Sequence, residues 1–135
     1  MFLLDTCVVS EGPKPRRNEG VVRWLARQDT PTLYISAITA GELRYGVSRL
    51  PPGRESARLH DWLAETLEKG FAGRILVFDH QVADFWGKLR IGHPDAEIAD
   101  SQIAATAMVH KLTLVTRNVK EFAFPGLAVF NPWSG

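Results

Sequence analysis

FLLDTCVVSE, residues 2–11, places a carboxylate inside an apolar run. Residues 2–4 have the character of a buried strand, and residues 7–9 continue the apolar sequence after Asp5. Burying an ionised carboxylate costs several kcal/mol unless a partner stabilises it. Two interpretations of this stretch stay open. Asp5 either caps the turn or helix that follows the strand, or it belongs to a functional site.

Four more apolar runs between turn residues predict further strands. They are TLYIS (32–36), RILVF (74–78), LTLVT (112–116) and a short fifth strand, LAVFN (127–131). Apolar residues recur at helical spacing over residues 21–28, 38–50, 56–70, 79–90 and about 94–110. Strands that alternate with helices predict a three-layer α/β/α fold, with a mostly parallel sheet between helices. We expect residues 1–135 to form a single domain.

The composition excludes several classes of protein. With 45% hydrophobic and 23% charged residues, the chain has an ordinary globular composition, and no apolar run approaches the ~18 residues of a membrane span. No cationic leader precedes an apolar core, so we expect a cytoplasmic protein without membrane contact. One cysteine and four scattered histidines form no familiar zinc site, which leaves oxygen ligands for any metal. The net charge of +1 restricts any nucleic-acid contact to a local patch.

Two predicted helices carry acids in unusual positions. Glu42 has no basic residue one helical turn away on either side, so the common ion pair is missing. Asp100 precedes Ile103 by one turn and so lies on the face that should pack against the sheet, with Glu97 on nearly the same face. Carboxylates on an apolar face repel each other and resist burial. Simple exposure to solvent is the alternative for each of these acids.

Polar residues follow the fourth predicted strand as well. Thr116, Arg117 and Asn118 come directly after it, and Glu121 lies three residues later. An ordinary strand-to-helix turn capped by Thr116 or Asn118 would have the same sequence. In open parallel sheets, however, functional residues gather at the carboxyl ends of strands where the strand order reverses. If the first and fourth strands are neighbours there, Asp5 meets Asn118, and the other acids can converge on them.

A cluster of ionised acids needs a cation. Hard divalent ions such as Mg²⁺ and Mn²⁺ prefer oxygen ligands and water. In phosphodiester hydrolysis, one or two such ions activate a water and stabilise the leaving oxygen. The pattern therefore predicts a Mg²⁺- or Mn²⁺-dependent hydrolase of phosphodiester bonds.

In the order and spacing of its motifs, the chain resembles the PIN-domain ribonucleases of the VapC toxin family, in its FitB-like branch. The resemblance covers nearly the whole chain and rests on LLDTCVVSE (3–11), SAITAGELRYGV (36–47), IADSQIAATA (98–107), LVTRN (114–118) with EF (121–122), and VFNPW (129–133). It implies a Mg²⁺- or Mn²⁺-dependent endoribonuclease, the toxin of a type II toxin–antitoxin system. It also implies a homodimer and a small DNA-binding antitoxin of the VapB or FitA type, whose tail occupies the active-site groove.

The same resemblance implies roles for four catalytic residues. Asp5, Glu42 and Asp100 match the acidic core of the family. Asp5 and Asp100 would hold the principal metal ion, and Glu42 would bind it through water or orient the attacking water. Asn118 stands where many members carry a fourth Asp. An amide offers an oxygen but no charge, so we expect weaker binding of a second ion and leave one-ion chemistry open.

Supporting roles follow from the resemblance too. Thr6 and Thr116 match small hydroxyl residues that support the site. Asn118, with Glu97 or Glu121, would complete the outer shell around the ion.

Several cations near these motifs are candidates for RNA contact. The main candidates are Arg117, beside the site, and Arg44, beyond Glu42. The others are Lys14, Arg16, Arg17 and Arg49. A solvated surface charge is the alternative for each of them. Trp62 and Trp86 lie on apolar stripes, which predicts a place in the core or in a dimer interface.

Rival functions fit less of the sequence. A phosphatase of the haloacid dehalogenase type needs a second Asp two residues after the first, where this chain has Cys7. A phospho-receiver domain would leave Glu42 and Asp100 unexplained. The remaining alternative is a catalytically degraded PIN-fold module that binds RNA or a partner protein without cleavage, and Asn118 keeps it open.

Overall fold

The structure, a computed structural model, describes residues 1–134, and within them the chain alternates between strands and helices. The strands are β1 (Phe2–Leu4), β2 (Leu33–Ser36), β3 (Ile75–Leu76), β4 (Thr113–Val115) and β5 (Val129–Phe130). The helices are α1 (Thr6–Val9), α2 (Glu19–Ala26), α3 (Ala37–Ser48), α4 (Arg54–Glu65), α5 (His80–Gly92) and α6 (Ile98–Val109). Short 3₁₀ segments cover Thr30–Thr32 and Val119–Phe122. The predicted α/β class is confirmed.

The sheet is parallel throughout, with the strand order β3-β2-β1-β4-β5. Leu3 of the central strand β1 pairs with Tyr34 of β2 on one side and with Leu114 of β4 on the other. The chain builds β2 and β3 on one side of β1 and then crosses to build β4 and β5 on the other. Strand order therefore reverses between the neighbouring strands β1 and β4, and a crevice opens at their carboxyl ends.

Two apolar clusters cover the two faces of the sheet. Because successive strand residues point to opposite faces, Leu4 packs in one cluster and Leu3 in the other. The Leu4 cluster includes Leu63 of α4, and the Leu3 cluster includes Ile103 of α6. Burying one such side chain contributes about 1.5–3 kcal/mol. The sheet is thus the middle of three layers, as predicted.

Helix α6 begins later than the sequence predicts. The expected start was about residue 94, because proline suits a first helical turn. Instead, residues 93–97 form a turn in which the Ala96 N–H donates to the His93 carbonyl at 3.2 Å, and the helix begins at Ile98. The change places Glu97 at the helix start, outside its regular turns.

Other bounds differ at the ends of elements. β3 and β5 have two residues each, fewer than predicted, because each pairs with only one neighbouring strand. The predicted helix over 56–70 is α-helical only to Glu65 and ends in a π-helical turn, Thr66–Gly70. The short helix α1 was not predicted. Its four residues follow β1 directly.

The helices are short. The longest in residues 1–134, α5, has 13 residues, and a membrane span takes about 20 apolar ones. No helix in that range is both long and apolar enough to cross a membrane.

Candidate active site

Asp5 lies at the carboxyl end of β1 and is 5% exposed. Its Oδ1 accepts a hydrogen bond from the Thr6 N–H at 2.8 Å, which makes Asp5 the N-cap of α1. Its Oδ2 accepts from the Thr116 hydroxyl at 2.7 Å. The cap interpretation is confirmed, and the same carboxylate also acts electrostatically on Glu42 and Asp100. Asp5 therefore has both a structural and a site-forming position.

Glu42 reaches the same site from α3. The Ser36 side chain caps this helix directly after β2, which fixes where the helix begins. The Thr6 hydroxyl donates to Glu42 Oε1 at 2.6 Å. Burial raises the pKa of Glu42 above its usual value, the bond from Thr6 opposes that rise, and the charges of Asp5 and Glu97 add to it. Thr6 is thus placed as the support of Glu42.

Asp100 occupies the first turn of α6, three residues after Glu97, the N-cap residue of this helix. Burial, followed by the charge of Glu97, raises the pKa of Asp100 to about 7, with smaller contributions from Asp5 and Glu42. A hydrogen bond between the carboxyl groups of Asp100 and Glu97 acts in the same direction. Asp100 therefore combines burial with like charges on several sides.

Among residues 1–134, the four acids of this region have no basic partner in an ion pair. The ion pairs within residues 1–134 include none of Asp5, Glu42, Glu97 and Asp100. Over the same range, no three side chains of the metal-binding types Asp, Glu, His and Cys already stand together as a ligand set. Carboxylates repel one another without a cation, so closing such a set requires side-chain rotation. Asp5 is buried, Glu42 and Asp100 are half-buried, and Glu97 is exposed. Carboxylate oxygens without cationic partners are a donor set that suits a hard divalent ion.

Thr116 connects Asp5 to Asn118. It is fully buried, and its hydroxyl donates to Asp5 and accepts from the Asn118 N–H at 3.0 Å. The Asn118 side chain is exposed and makes no capping bond to the 3₁₀ segment that follows. Thr116 therefore connects the main chain of Asn118 to Asp5, and a role for the Asn118 side chain at the site stays a prediction.

Glu121 lies apart from this contact network. It is exposed in the 3₁₀ segment and lines a cleft of about 380 Å³ together with Glu97. The charges that act on Asp100 come from Glu97, Asp5 and Glu42, and Glu121 is not among them. Of the two acids assigned to the outer shell, Glu97 is the one that the structure places against Asp100.

A groove of about 440 Å³ begins at Thr6 and Glu42 and extends between α3 and α4. Its lining is mostly apolar and includes Trp62, which also packs against the Leu4 cluster. The second tryptophan, Trp86, donates to the Ser101 hydroxyl at 2.9 Å. Both tryptophans are half-buried, as expected for residues packed at the edge of a core.

The candidate RNA-binding cations have different surroundings. Lys14 lines the groove and pairs with Glu11 at 2.6 Å. Arg117 lies over the Trp133 ring, with 4.9 Å from its guanidinium carbon to the ring centroid. Arg49 lies over an exposed tyrosine on α3. The other candidates, Arg16, Arg17 and Arg44, are exposed.

Three residues near the site have contacts that the sequence did not predict. Glu11 is 4% exposed, and its Oε2 accepts from the Asn18 N–H at 2.9 Å while its Oε1 binds Lys14. The buried Thr39 hydroxyl lies 3.3 Å from that of Thr6. Trp133 comes from the far end of the chain. Only Glu11 could have been found, because it ends the same apolar run that contains Asp5.

A family model and several known proteins match this chain. A family model described as PIN domain matches residues 2–123. Toxin FitB of Neisseria gonorrhoeae is 44% identical, with 98% of this chain and 99% of that protein covered. VapC ribonuclease Y4jK of Sinorhizobium fredii is 36% identical, with 98% of each covered. The solved structure of FitAB bound to an IR36 DNA fragment superposes with a TM-score of 0.90 at 43% identity, covering 98% of this chain and 96% of that one.

Proposed function

The chain belongs to the PIN-domain family, and from that premise we propose that it is a metal-dependent endoribonuclease, the toxin component of a type II toxin–antitoxin system. The relatives named as ribonucleases and as a toxin match over nearly their whole length. We propose the cytoplasm, where cellular RNA is available, as its place of action.

One observation carries the proposal. Asp5, Glu42 and Asp100 are far apart in sequence, yet they act on one another electrostatically at the carboxyl end of the sheet without a basic partner. Gathering unpaired acids costs stability in the folded protein. That cost is understandable if an external cation neutralises them during function.

PIN-domain ribonucleases generally need a divalent metal, and we propose Mg²⁺ or Mn²⁺ for this chain. When bound, such an ion lowers the pKa of a water and stabilises charge on the phosphate. Asp5 and Asp100 are the proposed ligands, because each is a buried or half-buried carboxylate in the crevice. Asn118 adds no charge, which favours one firmly held ion over two.

The protein's own side chains hold the reacting groups in place. We assign Glu42 to orient the attacking water, with the Thr6 hydroxyl fixing the direction of Oε1. Thr116 holds Oδ2 of Asp5 in the same way. These bonds restrict carboxylate rotation, and supporting contacts of this kind usually contribute about 10–100-fold to affinity or activity.

Outer positions complete the proposed site. Glu97 contacts Asp100 and is assigned to the outer shell together with Asn118, and Glu121 extends it along the neighbouring cleft. RNA is the proposed substrate, with Arg117 and Arg44 as candidate phosphate contacts.

A small DNA-binding antitoxin of the VapB or FitA type is the proposed partner. The relative FitB is the toxin of a solved FitAB assembly that binds DNA. The apolar groove that starts at Glu42 has the size and lining to accept an extended peptide segment from such a partner. We also propose that the toxin forms a homodimer.

A PIN-fold module that binds RNA or protein without cleaving is the second candidate. Asn118 favours it, because it removes a charge at a position where many family members carry Asp. It would retain the fold and the groove but lose metal-dependent chemistry.

RNA cleavage by purified variants tests the two candidates. The chain is freed of co-purified antitoxin and incubated with RNA in Mg²⁺ or Mn²⁺ as wild type, Asp5→Asn and Asp100→Asn. Asp84→Asn is the matched control, because it removes the same charge from an exposed position on α5. We expect cleavage by wild type and the control and a loss of about a hundredfold or more in the two site variants. Equal, background-level cleavage by all four would favour the binding module.

A further inference from the structure

Arg117 has the most defined side-chain position among the candidate RNA-contacting arginines at the site. Arg117 directly follows Thr116 in the chain, and the Thr116 hydroxyl donates to Asp5 Oδ2 at 2.7 Å. The Arg117 guanidinium lies over Trp133. We infer that Trp133 positions Arg117 as a phosphate-contacting residue at the rim of the acidic crevice. This inference rests on the proposed ribonuclease function.

Several contacts of residues 130–133 fix the position of Trp133. The Thr116 N–H donates to the Phe130 carbonyl at 2.9 Å, which fastens β5 beside the site strand. The Asn131 side chain then accepts from the Trp133 N–H at 2.9 Å and closes a turn. Trp133 itself packs against the Leu4 cluster. The Trp133 indole is therefore held in place at the edge of the hydrophobic core, and the Arg117 guanidinium stacks on it.

Gly20 gives a second anchor for this segment. A Cβ at position 20 would stand 2.5 Å from the carbonyl oxygen of Pro132, so only glycine allows the two backbones to approach this closely. Pro132 is buried at this contact. Residues 130–133 are thus held from two sides, by β4 and by the start of α2.

The charge of Arg117 is available for an external anion. No ion pair within residues 1–134 includes Arg117, whereas Lys14 is already paired with Glu11. The Arg117 side chain is exposed, so a ligand in solution can reach the guanidinium. Stacking on an indole leaves the edge of the guanidinium fork open for a phosphate.

Stacking should act on substrate binding more than on the chemical step. A guanidinium held in one place loses less freedom when it binds a phosphate. Arg117 is outside the proposed metal ligands, so its contact persists in ground state and transition state alike. Removing such an interaction raises KM while kcat changes little.

Binding and cleavage measurements on matched variants test the inference. The probe is a short fluorescein-labelled single-stranded RNA of mixed sequence, with binding followed by anisotropy in EDTA and cleavage followed in Mn²⁺. We expect Arg117→Ala to weaken binding about five- to tenfold and to reduce the slope of log affinity against log salt by roughly one. Trp133→Ala should weaken binding about three- to fivefold, and Trp133→Phe, which keeps a ring face, should stay within about twofold of wild type.

Arg27→Ala is the matched control. This arginine is exposed at the end of α2, on the side of the sheet where β2 begins and away from the crevice, and its loss should leave binding and cleavage unchanged. Thermal unfolding of each variant identifies any that fail to fold. If Trp133→Ala fails to fold, Arg117→Ala still tests the inference. Wild-type binding and salt slope in Arg117→Ala would overturn the inference. An equal loss in Trp133→Phe and Trp133→Ala would overturn the positioning role.

The two failures can be told apart. If wild type neither binds nor cleaves this RNA, the proposed function fails, and the inference fails with it. If wild type cleaves and both Arg117→Ala and Trp133→Ala cleave with the same KM, only the inference fails.

Discussion

Glu11 and Asp100 are two carboxylates with limited exposure whose surroundings are opposite in charge. Glu11 binds Lys14 and the Asn18 N–H, and the bond from Lys14 holds the pKa of Glu11 below its usual value. Asp100 has acids around it and no basic partner, and its pKa rises to about 7. The chain itself stabilises the first acid, and we propose that a cation from outside neutralises the second. Glu11 is buried beside a lysine, whereas Asp100 is half-buried among other acids.

The largest expected difference is in the rate of RNA cleavage, between a charge-removing variant at the acidic crevice and one at Glu11. Glu42→Gln keeps the shape of the side chain but removes its charge, and we expect RNA cleavage to fall about a hundredfold. Glu11→Gln removes the same charge from the structural region and should cleave within about threefold of wild type at temperatures where it is folded. Initial rates in Mn²⁺ measure both. Equal losses in the two variants would erase the proposed distinction.

Glu11→Gln, which should hardly change the cleavage rate, should lower the folding stability. Glu11→Gln breaks a nearly buried ion pair whose lysine is half exposed, so we expect a loss of about 1–2 kcal/mol in the free energy of unfolding. Urea unfolding in EDTA measures it, with Glu19→Gln on exposed α2 as the control. A change in Glu11→Gln no larger than in the control would mean that Lys14 contributes nothing to the fold.

Asp100→Asn should stabilise the metal-free protein. A carboxyl whose folded-state pKa is raised binds its proton more tightly in the folded state, so its contribution to stability is lost as pH rises from about 4 through about 7. After allowance for solvent screening, we expect Asp100→Asn to gain about 1 kcal/mol near pH 8 in EDTA and little near pH 4. Unfolding midpoints across this range test the sign. A loss of stability near pH 8 would contradict it.

Glu11 should show the opposite pH response. Its pKa is lowered in the folded state, so its contribution is complete above its ordinary value near 4 and is lost as the pH falls through the lowered pKa. The difference in free energy of unfolding between wild type and Glu11→Gln should therefore shrink below about pH 4. A difference that stays constant with pH would exclude the ion pair as its source.

Asn118→Asp should have the smallest effect and the most specific one. A fifth acid at the crevice should tighten Mn²⁺ binding about tenfold at most and lower metal-free stability by about 0.5 kcal/mol. Titration of metal-dependent cleavage and unfolding in EDTA measure the two changes. Unchanged metal affinity would show that residue 118 lies outside the ion's reach.

Much of the fold followed from the sequence because periodicity and strand ends are local features. The parallel sheet follows from apolar runs that alternate with helices. The polar residues that end β1 and β4 indicated the edge of the sheet where the site lies, but the adjacency of these strands and the contact of Asp5 with Thr116 are findings of the structure. The late start of α6 did not, because a turn at residues 93–97 competes with a proline that also suits a helix.

The site was predictable only in part, for a related reason. Acids in apolar surroundings are visible in a sequence, and so Asp5, Glu42 and Asp100 could be named. Partners supplied by distant segments are not visible. Trp133 meets Arg117 only because β5 pairs with β4, and Thr39 reaches Thr6 only through the packing of α1 on α3.

Isothermal titration calorimetry with Mn²⁺ tests most directly whether the unpaired acids form a cation site. We expect wild type and Glu11→Gln to take up the ion with similar affinity, and the double variant Asp5→Asn, Asp100→Asn to take up none. No uptake by wild type, or uptake that survives in the double variant, would contradict the account.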